Sequence, residues 1–448
     1  MRIKVMKFGG TSVATPEARN SAALRVISAK EQGFSPVVVV SAIGRRGAPY
    51  ATDTLINALA EVDPPTAPRP RELDLLMSCG EVLSAVLFAH LLKSLGHPAS
   101  AMTGVQAGIH TDGNYGNARV TQVEPAGILR FLEQGDIPVV CGFQGVCASP
   151  EGWLSEITTL GRGGSDTTGS ALGAALGAEA VEVFTDVDGV KSADPDFVPH
   201  APTLRTVTYD EVAEIAHLGA KVLHPRAAEI AMNNGIPLWV KNTFSDDPGT
   251  RIVPRSDYPG KRVTGVTHTG KLVYLQFNFE SSEASHVREL QSVVYEMLER
   301  YGINLFMINV SPTGLGFGVP RSQYEVVMDL MDGLVLPLDG GRPVIYLFQI
   351  GPATKEVETQ ERLLRPLGEQ RRIVAEVTEG CTMVSVIGHE VLQQPGIFLR
   401  TLRTLHEAKV PVLQTSDSDL SVSCLVPEAD MERAVRTLHD AFAGAVAP

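Results

Sequence analysis

The run Pro36-Val37-Val38-Val39-Val40-Ser41-Ala42 sets four valines in succession with no polar alternation. A strand with one wet face alternates apolar and polar residues. An unbroken β-branched run fits a strand covered on both faces, as in a parallel sheet between helices. The theme recurs. Ile3, Val5 and Phe8 interleave with Arg2, Lys4 and Lys7, and β-like runs fall at residues 99–102, 138–141 and 180–185, each with a helix-like segment nearby. Repeated strand–helix units predict an α/β fold on a mainly parallel sheet. Ligands of such sheets gather beyond the carboxyl ends of the strands.

Lys7-Phe8-Gly9-Gly10-Thr11-Ser12 follows the first strand and precedes a helix expected over residues 16–32, opened by Thr15-Pro16-Glu17 and closed by Gly33. Residues without side chains let backbone N–H groups approach phosphate oxygens, and Lys7 adds a point charge at the same place. The lysine precedes the glycines, so this is not the Walker order. Taken alone, the hexad also describes an ordinary turn. Ser41 closes the valine strand at the same sheet edge. Residues 44–53 are polar and turn-rich and are expected as a loop, and the prolines at 64, 65, 68 and 70 are expected to mark a linker.

Ser78-Cys79-Gly80-Glu81 is expected to open an apolar helix carrying Val82, Leu83, Val86 and Leu87, with Glu81 in its first turn. Two readings stand. Acidic residues favour helix N-termini, and a carboxylate at the mouth of an apolar helix can face a substrate ammonium. Gly142-Phe143-Gln144-Gly145 is a second glycine-punctuated strand end. The loop over residues 158–168 combines a fork-shaped cation, Arg162, with bare backbone at Gly163 and Gly164, the Ser165 hydroxyl and the Asp166 carboxylate. Arg162 suits a bidentate grip on a carboxylate. Asp166 can orient Lys7 or a metal-bound nucleotide. Helix capping explains Ser and Asp here, but not Arg-Gly-Gly. A small-residue helix is expected to follow over residues 169–177. Thr185-Asp186-Val187-Asp188-Gly189-Val190 ends a strand in an acidic turn. Lys221 is either a solvated charge or a second phosphate-side cation.

At 448 residues the chain has room for two to four compact units. Residues 1–245 are expected as the first, 246–262, rich in Asp, Pro and Gly, as a linker, and 263–350 and 351–448 as two βαββα units. A formal charge of −13 argues against nucleic acid or an anionic membrane as the main partner. Cys79, Cys141, Cys147, Cys381 and Cys424 are scattered without a CxxC pair, as expected of reduced cytosolic thiols. With no signal-like segment and no apolar run near the ~18 residues of a membrane span, the expected compartment is the cytoplasm.

Together these motifs resemble the aspartate kinase family. The matching runs are residues 7–12, 38–42, 78–81, 142–145, 159–166, 185–190 and Gly219-Ala220-Lys221-Val222-Leu223-His224-Pro225. Residues 45–54 and 414–417 resemble its monofunctional, diaminopimelate-sensitive subtype. The resemblance implies an amino-acid kinase fold followed by two ACT-like βαββαβ (ferredoxin-like) units. It implies ATP, Mg²⁺ and L-aspartate, an amino-acid effector and a homodimer formed through the ACT units. Lys7 and Asp166 would be catalytic. Lys7, Phe8, Gly9, Gly10, Thr185, Asp186, Val190, Lys191, Lys221 and Val222 would meet ATP. Ser41, Glu81, Arg162, Gly163 and Ser165 would meet aspartate, and Asn309, Ser311, Gln414 and Asp417 an effector. No protein side chain is implied as a metal ligand. The chain departs from the family pattern at Lys191 and Asp196 on the nucleotide side. It departs again at Asn304-Leu305-Phe306 and Pro312 in the first ACT unit, and over residues 339–359, longer than the family connector. Two other readings remain at this point: a kinase of glutamate or N-acetylglutamate, and a catalytically silent amino-acid sensor.

Overall fold

The computed structural model describes residues 1–62, 68–148, 155–219, 223–258, 263–279, 284–331, 334–336, 344–350, 362–363, 365–389 and 391–446. They fall into two compact units that divide between Gly265 and Val266. The first begins with β1 (Ile3–Phe8), α1 (Pro16–Glu31), β2 (Ser35–Val40), α2 (Thr52–Ala60), α3 (Pro70–Ser94) and β3 (Ala99–Met102). It continues through β4 (Ile109–Thr111), β5 (Val120–Val123), α4 (Ala126–Glu133), β6 (Ile137–Cys141), β7 (Gln144–Ala148) and β8 (Ser155–Thr159). It closes with α5 (Gly164–Ala175), β9 (Ala180–Thr185), β10 (Thr206–Thr208), α6 (Tyr209–His217), α7 (Pro225–Asn233), β11 (Leu238–Asn242) and β12 (Thr250–Val253).

Eight strands form the main sheet in the order β10-β12-β11-β9-β1-β2-β6-β3. All pairs are parallel except β11 with β12. The valine run is the fully buried strand it reads as, with Val37, Val38, Val39 and Val40 at 0% exposure. Register does the rest. Phe8 lies opposite both Val40 and Phe184, Val40 opposite Cys141, and Thr185 opposite Asn242. The ends of five strands therefore reach one edge together. Phe8 itself points into the core, stacked on Phe184 at 4.8 Å and near Phe88 at 5.7 Å between ring centroids. A smaller sheet, β5-β4-β7-β8, lies beside this edge in sequence, β7 following β6 after a two-residue turn.

Three expectations need correction. The apolar helix opens at Pro70, eight residues before Ser78, because Pro70 occupies its first turn, where proline's missing N–H costs nothing. Glu81 thus sits mid-helix and is no N-terminal acid. This 25-residue helix is also long and apolar enough to cross a membrane by length and composition. It is instead a core helix against β3, β6 and β8. Second, α5 begins at Gly164, so Ser165 and Asp166 belong to its first turn and the loop ends at Gly163. Third, the segment expected as a linker holds β12, inserted between β10 and β11. Its Thr250 is fully buried, with Oγ1 accepting from Val190 N at 2.9 Å and donating to Leu204 O at 2.6 Å.

The second unit carries one nine-stranded sheet. Its elements are β13 (Gly265–His268), β14 (Leu272–Asn278), α8 (Ala284–Arg300), β15 (Phe306–Ser311), β16 (Gly314–Pro320), α9 (Tyr324–Met331), β17 (Leu334–Leu336) and β18 (Val344–Ile350). Then come β19 (Glu369–Ile387), the helix Pro395–Glu407, β20 (Gln414–Asp417), β21 (Ser421–Pro427) and the helix Met431–Val446. β19 is shared: its first half pairs with β14 and β18, its second with β21. β13, an extra strand at the start of the segment expected as the first βαββα unit, pairs with β19 as well, and Thr269 just after it bonds Met383. The sequence pattern did not anticipate this sharing. Of residues 339–359, only 344–350 lie among those described, as β18.

Asp74 pins α3. It is fully buried and accepts from Thr159 N at 2.7 Å, Thr159 Oγ1 at 2.8 Å and Gly116 N at 2.9 Å. Asp74→Ala should lower unfolding stability by about 2–5 kcal/mol, since the buried N–H and hydroxyl of Thr159 lose their acceptor. Asp74→Asn, which keeps an oxygen for them, should lose less. Urea midpoints for both variants check this.

Candidate active site

Eight of the expected site residues line one cleft of about 500 Å³ at the carboxyl edge of the main sheet: Lys7, Gly10, Ser41, Glu81, Arg162, Gly163, Ser165 and Asp166. That volume suits a small ligand with part of a nucleotide. Lys7 arrives on the central strand β1 and Asp166 in the first turn of α5. Their Nζ and Oδ1 atoms lie 2.5 Å apart, an ion pair not aligned as a hydrogen bond. Both are nearly buried, at 9% and 8% exposure.

The turn into α5 is made by Gly163, whose φ of 69° is left-handed and whose absent Cβ leaves room for the His224 ring, 2.3 Å from where that atom would lie. Burial lowers the pKa of His224 more than the nearby Asp166 raises it. Opposite, Phe143 also has positive φ, 70°, costly for an aromatic residue. It is held by N–H donation to Thr168 Oγ1 at 3.1 Å and by Leu160 N–H donating to its carbonyl at 2.8 Å. Phe143 lines the cleft between Arg162 and the strand end of β6.

Glu81 brings a carboxylate into this cleft at 3% exposure. Oε1 accepts from Ala42 N at 2.9 Å, while Oε2 is buried with no hydrogen-bond partner. Burial pushes its pKa up to about 8, against a smaller lowering from the Ala42 N–H. Arg162 is exposed at the cleft mouth. A protonatable carboxyl with a free oxygen, a guanidinium and two hydroxyls suit a zwitterionic amino acid. The Lys7 side suits phosphate.

Other expected residues stand elsewhere. Phe8 is in the core. Gly9 spends its N–H on Phe184 O at 3.1 Å, which leaves Gly10 as the glycine that faces the cleft. Thr185 and Asp186 sit at the end of β9, where Asp186 Oδ2 accepts from Arg45 Nη2 at 2.8 Å. Val190 is buried and Lys191 Nζ donates to Thr203 Oγ1 at 2.7 Å, so neither lines this cleft. Lys221 and Val222 lie outside the described residues. Asn309 and Ser311 are on edge strand β15, Gln414 and Asp417 on edge strand β20, and those strands lie against one another.

Arg45, Arg46, Asp53, Met77 and Phe143 also line the cleft and were not singled out as site residues. Asp74, Met77, Ser78 and Glu81 form a buried stripe at helical spacing. Reading the helix from Pro70 would have exposed that stripe in the sequence. Among the described residues no three His, Cys, Asp or Glu side chains gather to hold a metal ion.

Residues 2–242 match the amino acid kinase family and residues 376–440 the ACT domain family. The chain is 37% identical to aspartokinase 1 of Bacillus subtilis over 99% of both chains. It is 36% identical to the aspartokinase of Mycobacterium tuberculosis over 99% of this chain and 96% of that one. Among solved structures, E. coli aspartokinase III in complex with aspartate and ADP matches with a TM-score of 0.72 at 24% identity, over 98% of this chain and 100% of that one. The aspartate kinase from Synechocystis matches at 0.50 and 30% identity, over 99% of this chain and 70% of that one. With a family match across more than half of its length and relatives of this identity along nearly all of it, the chain belongs to the aspartokinase family.

Proposed function

We propose that this protein is an aspartate kinase, transferring the γ-phosphoryl group of ATP to the side-chain carboxylate of L-aspartate to give 4-phospho-L-aspartate and ADP. The observation that carries the reading is the opposition, within one cleft, of the Lys7–Asp166 pair and the partnerless Glu81 Oε2. Glu81 would receive the aspartate ammonium and Arg162 a carboxylate in a bidentate pair, with Ser41 and Ser165 supplying hydroxyls. An N-acetylated substrate has no charge on nitrogen and would leave Glu81 unsatisfied. The attacking carboxylate is already ionised at neutral pH, so no general base is required. Catalysis rests on positioning two anions and neutralising charge. Lys7 would hold phosphate oxygens beside Gly10. Mg²⁺ would enter with ATP, since it binds through one or two carboxylates together with phosphates and water. Asp166, beside Lys7, fits as such a carboxylate.

The proposal extends to control. An amino-acid effector would bind at Asn309 and Ser311 or at Gln414 and Asp417, all on edge strands. β15 exposes Ile308 and Val310 at 52% and 55%, and an apolar edge of that kind favours pairing with a second copy.

The first test is ATP- and Mg²⁺-dependent acyl hydroxamate formation with aspartate and glutamate compared. Signal with aspartate alone is expected; signal with neither substrate points to the silent sensor. Lys7→Ala should lower turnover by ~10²-fold or more, the loss typical of one preorganised electrostatic group. Activity within about threefold of wild type would remove Lys7 from the chemistry. Glu81→Ala should weaken aspartate binding by about 2–5 kcal/mol. The pH dependence has a definite sign. Glu81 is protonated below about 8 in the free protein, and an ammonium selects its ionised form. Aspartate affinity should therefore rise with pH, by about tenfold per unit at most, and level off above about 8. Glu81→Gln should flatten that profile in steady-state measurements of the aspartate KM.

A further inference from the structure

Gly9-Gly10 is clasped from two sides. Gly44 N donates to Gly10 O at 3.0 Å, and a Cβ on Gly10 would lie 2.5 Å from Gly44 O. On the other flank Gly9 N donates to Phe184 O at 3.1 Å. One residue beyond the first clasp is Arg45, and two beyond the second is Asp186. Their ion pair at 2.8 Å therefore spans the diglycine from the turn after β2 to the turn after β9. The Arg45 side chain is 73% exposed and also lines the cleft shared by Lys7, Arg162 and Asp166. Nothing in the core requires it. A pair this exposed contributes little to stability, so its guanidinium can change partners at small cost.

We infer that Arg45 is a catalytic clamp on the transferring phosphoryl group, releasing Asp186 when a nucleoside triphosphate settles at Gly10. The inference rests on the kinase reading. In the transfer, an aspartate carboxylate oxygen forms its bond to the γ-phosphorus. The bond from that phosphorus to the β,γ-bridging oxygen breaks, and its electron pair leaves with ADP. No proton moves. Negative charge spreads over three equatorial oxygens as this happens. Lys7 already shares its charge with Asp166, and Arg162 is committed to a substrate carboxylate. Beside Lys7 and Mg²⁺, which are point charges, a planar guanidinium adds a two-point grip on phosphate, and Arg45 at the diglycine can supply it. Asp186 parks that guanidinium while the cleft is empty.

Arg45→Ala should lower kcat about 10²–10³-fold, the range for one donor to a developing anion, while the aspartate KM stays within about threefold. Arg45→Lys keeps the charge but not the fork and should recover only part of the loss. The same proteins are titrated with the β,γ-imido analogue of ATP and with ADP. Weakened binding of the triphosphate analogue alone is expected from a grip on the γ-phosphoryl group. Equal weakening for both, or none for either, would overturn the clamp, as would an unchanged kcat. A wild-type protein that forms no hydroxamate would bring down the kinase reading itself, and the two titrations would still decide Arg45.

Discussion

The Lys7–Asp166 ion pair sets the terms for the catalytic half of the molecule. Two charges taken almost wholly out of water cost more than their attraction returns unless geometry is strict. This pair is not aligned as a hydrogen bond, and what the surrounding structure fixes is the position of each charge. Lys7 is fixed by the central strand, with β2 and β9 in register on either side. Asp166 is fixed by the first turn of α5, whose direction depends on the left-handed Gly163. The packing of α5 on β1, with Gly169 against the Lys7 side chain, then decides how far apart the two charges stand. A stabilising core would not choose such a pair. Its place at a sheet edge where backbone and cations converge suits a site for anions.

Glu81 carries the opposite kind of burden. It is a buried acid with one oxygen on Ala42 N–H and the other with no partner, and the structure meets the cost by letting it keep its proton to about pH 8. Its position must nevertheless be rigid if a ligand is to find it. Helix α3 provides this, running 25 residues through the core and anchored one face along by the three hydrogen bonds of Asp74. Asp74 and Glu81 are seven residues apart, two turns on the same face.

Much of this was legible in the residues. The valine run predicts the buried parallel strand, and the strand-end glycines and Arg162-Gly163-Gly164-Ser165-Asp166 lie where expected, at one sheet edge and one cleft. The misses share a cause. A proline cluster before α3 reads as a break, yet proline is tolerated in a first helical turn, and that misplaced start hid the Asp74–Glu81 stripe. The Asp-, Pro- and Gly-rich stretch after Asn242 reads as a linker because β12 is only four residues long and its burial comes from neighbours distant in sequence. The shared strand β19 is likewise a tertiary fact: local patterning gives two βαββα units but not that one 19-residue strand serves both. Gly9 and Val190 lie in motifs that match the family, but their N–H groups are spent inside the fold, on Phe184 O and Thr250 Oγ1.

An acidic chain must still draw in acidic substrates. With a net charge of −13, the protein as a whole repels nucleotide and aspartate alike, so attraction has to be local. In the free cleft Lys7 is balanced by Asp166 and Arg45 by Asp186. Burial pushes the Glu81 pKa up to about 8, so it is mostly neutral near pH 7. Of the other described charged residues lining the cleft, Arg46 and Arg162 outnumber Asp53. The empty cleft is therefore cationic inside an anionic protein. An ammonium bound beside Glu81 would favour the ionised form. In the proposed role, a Glu81 that reads the amino group thus adds little repulsion until an amino acid is in place. On that reading, a group left half-satisfied in the fold would let a cleft admit two anions and still recognise a cation on one of them.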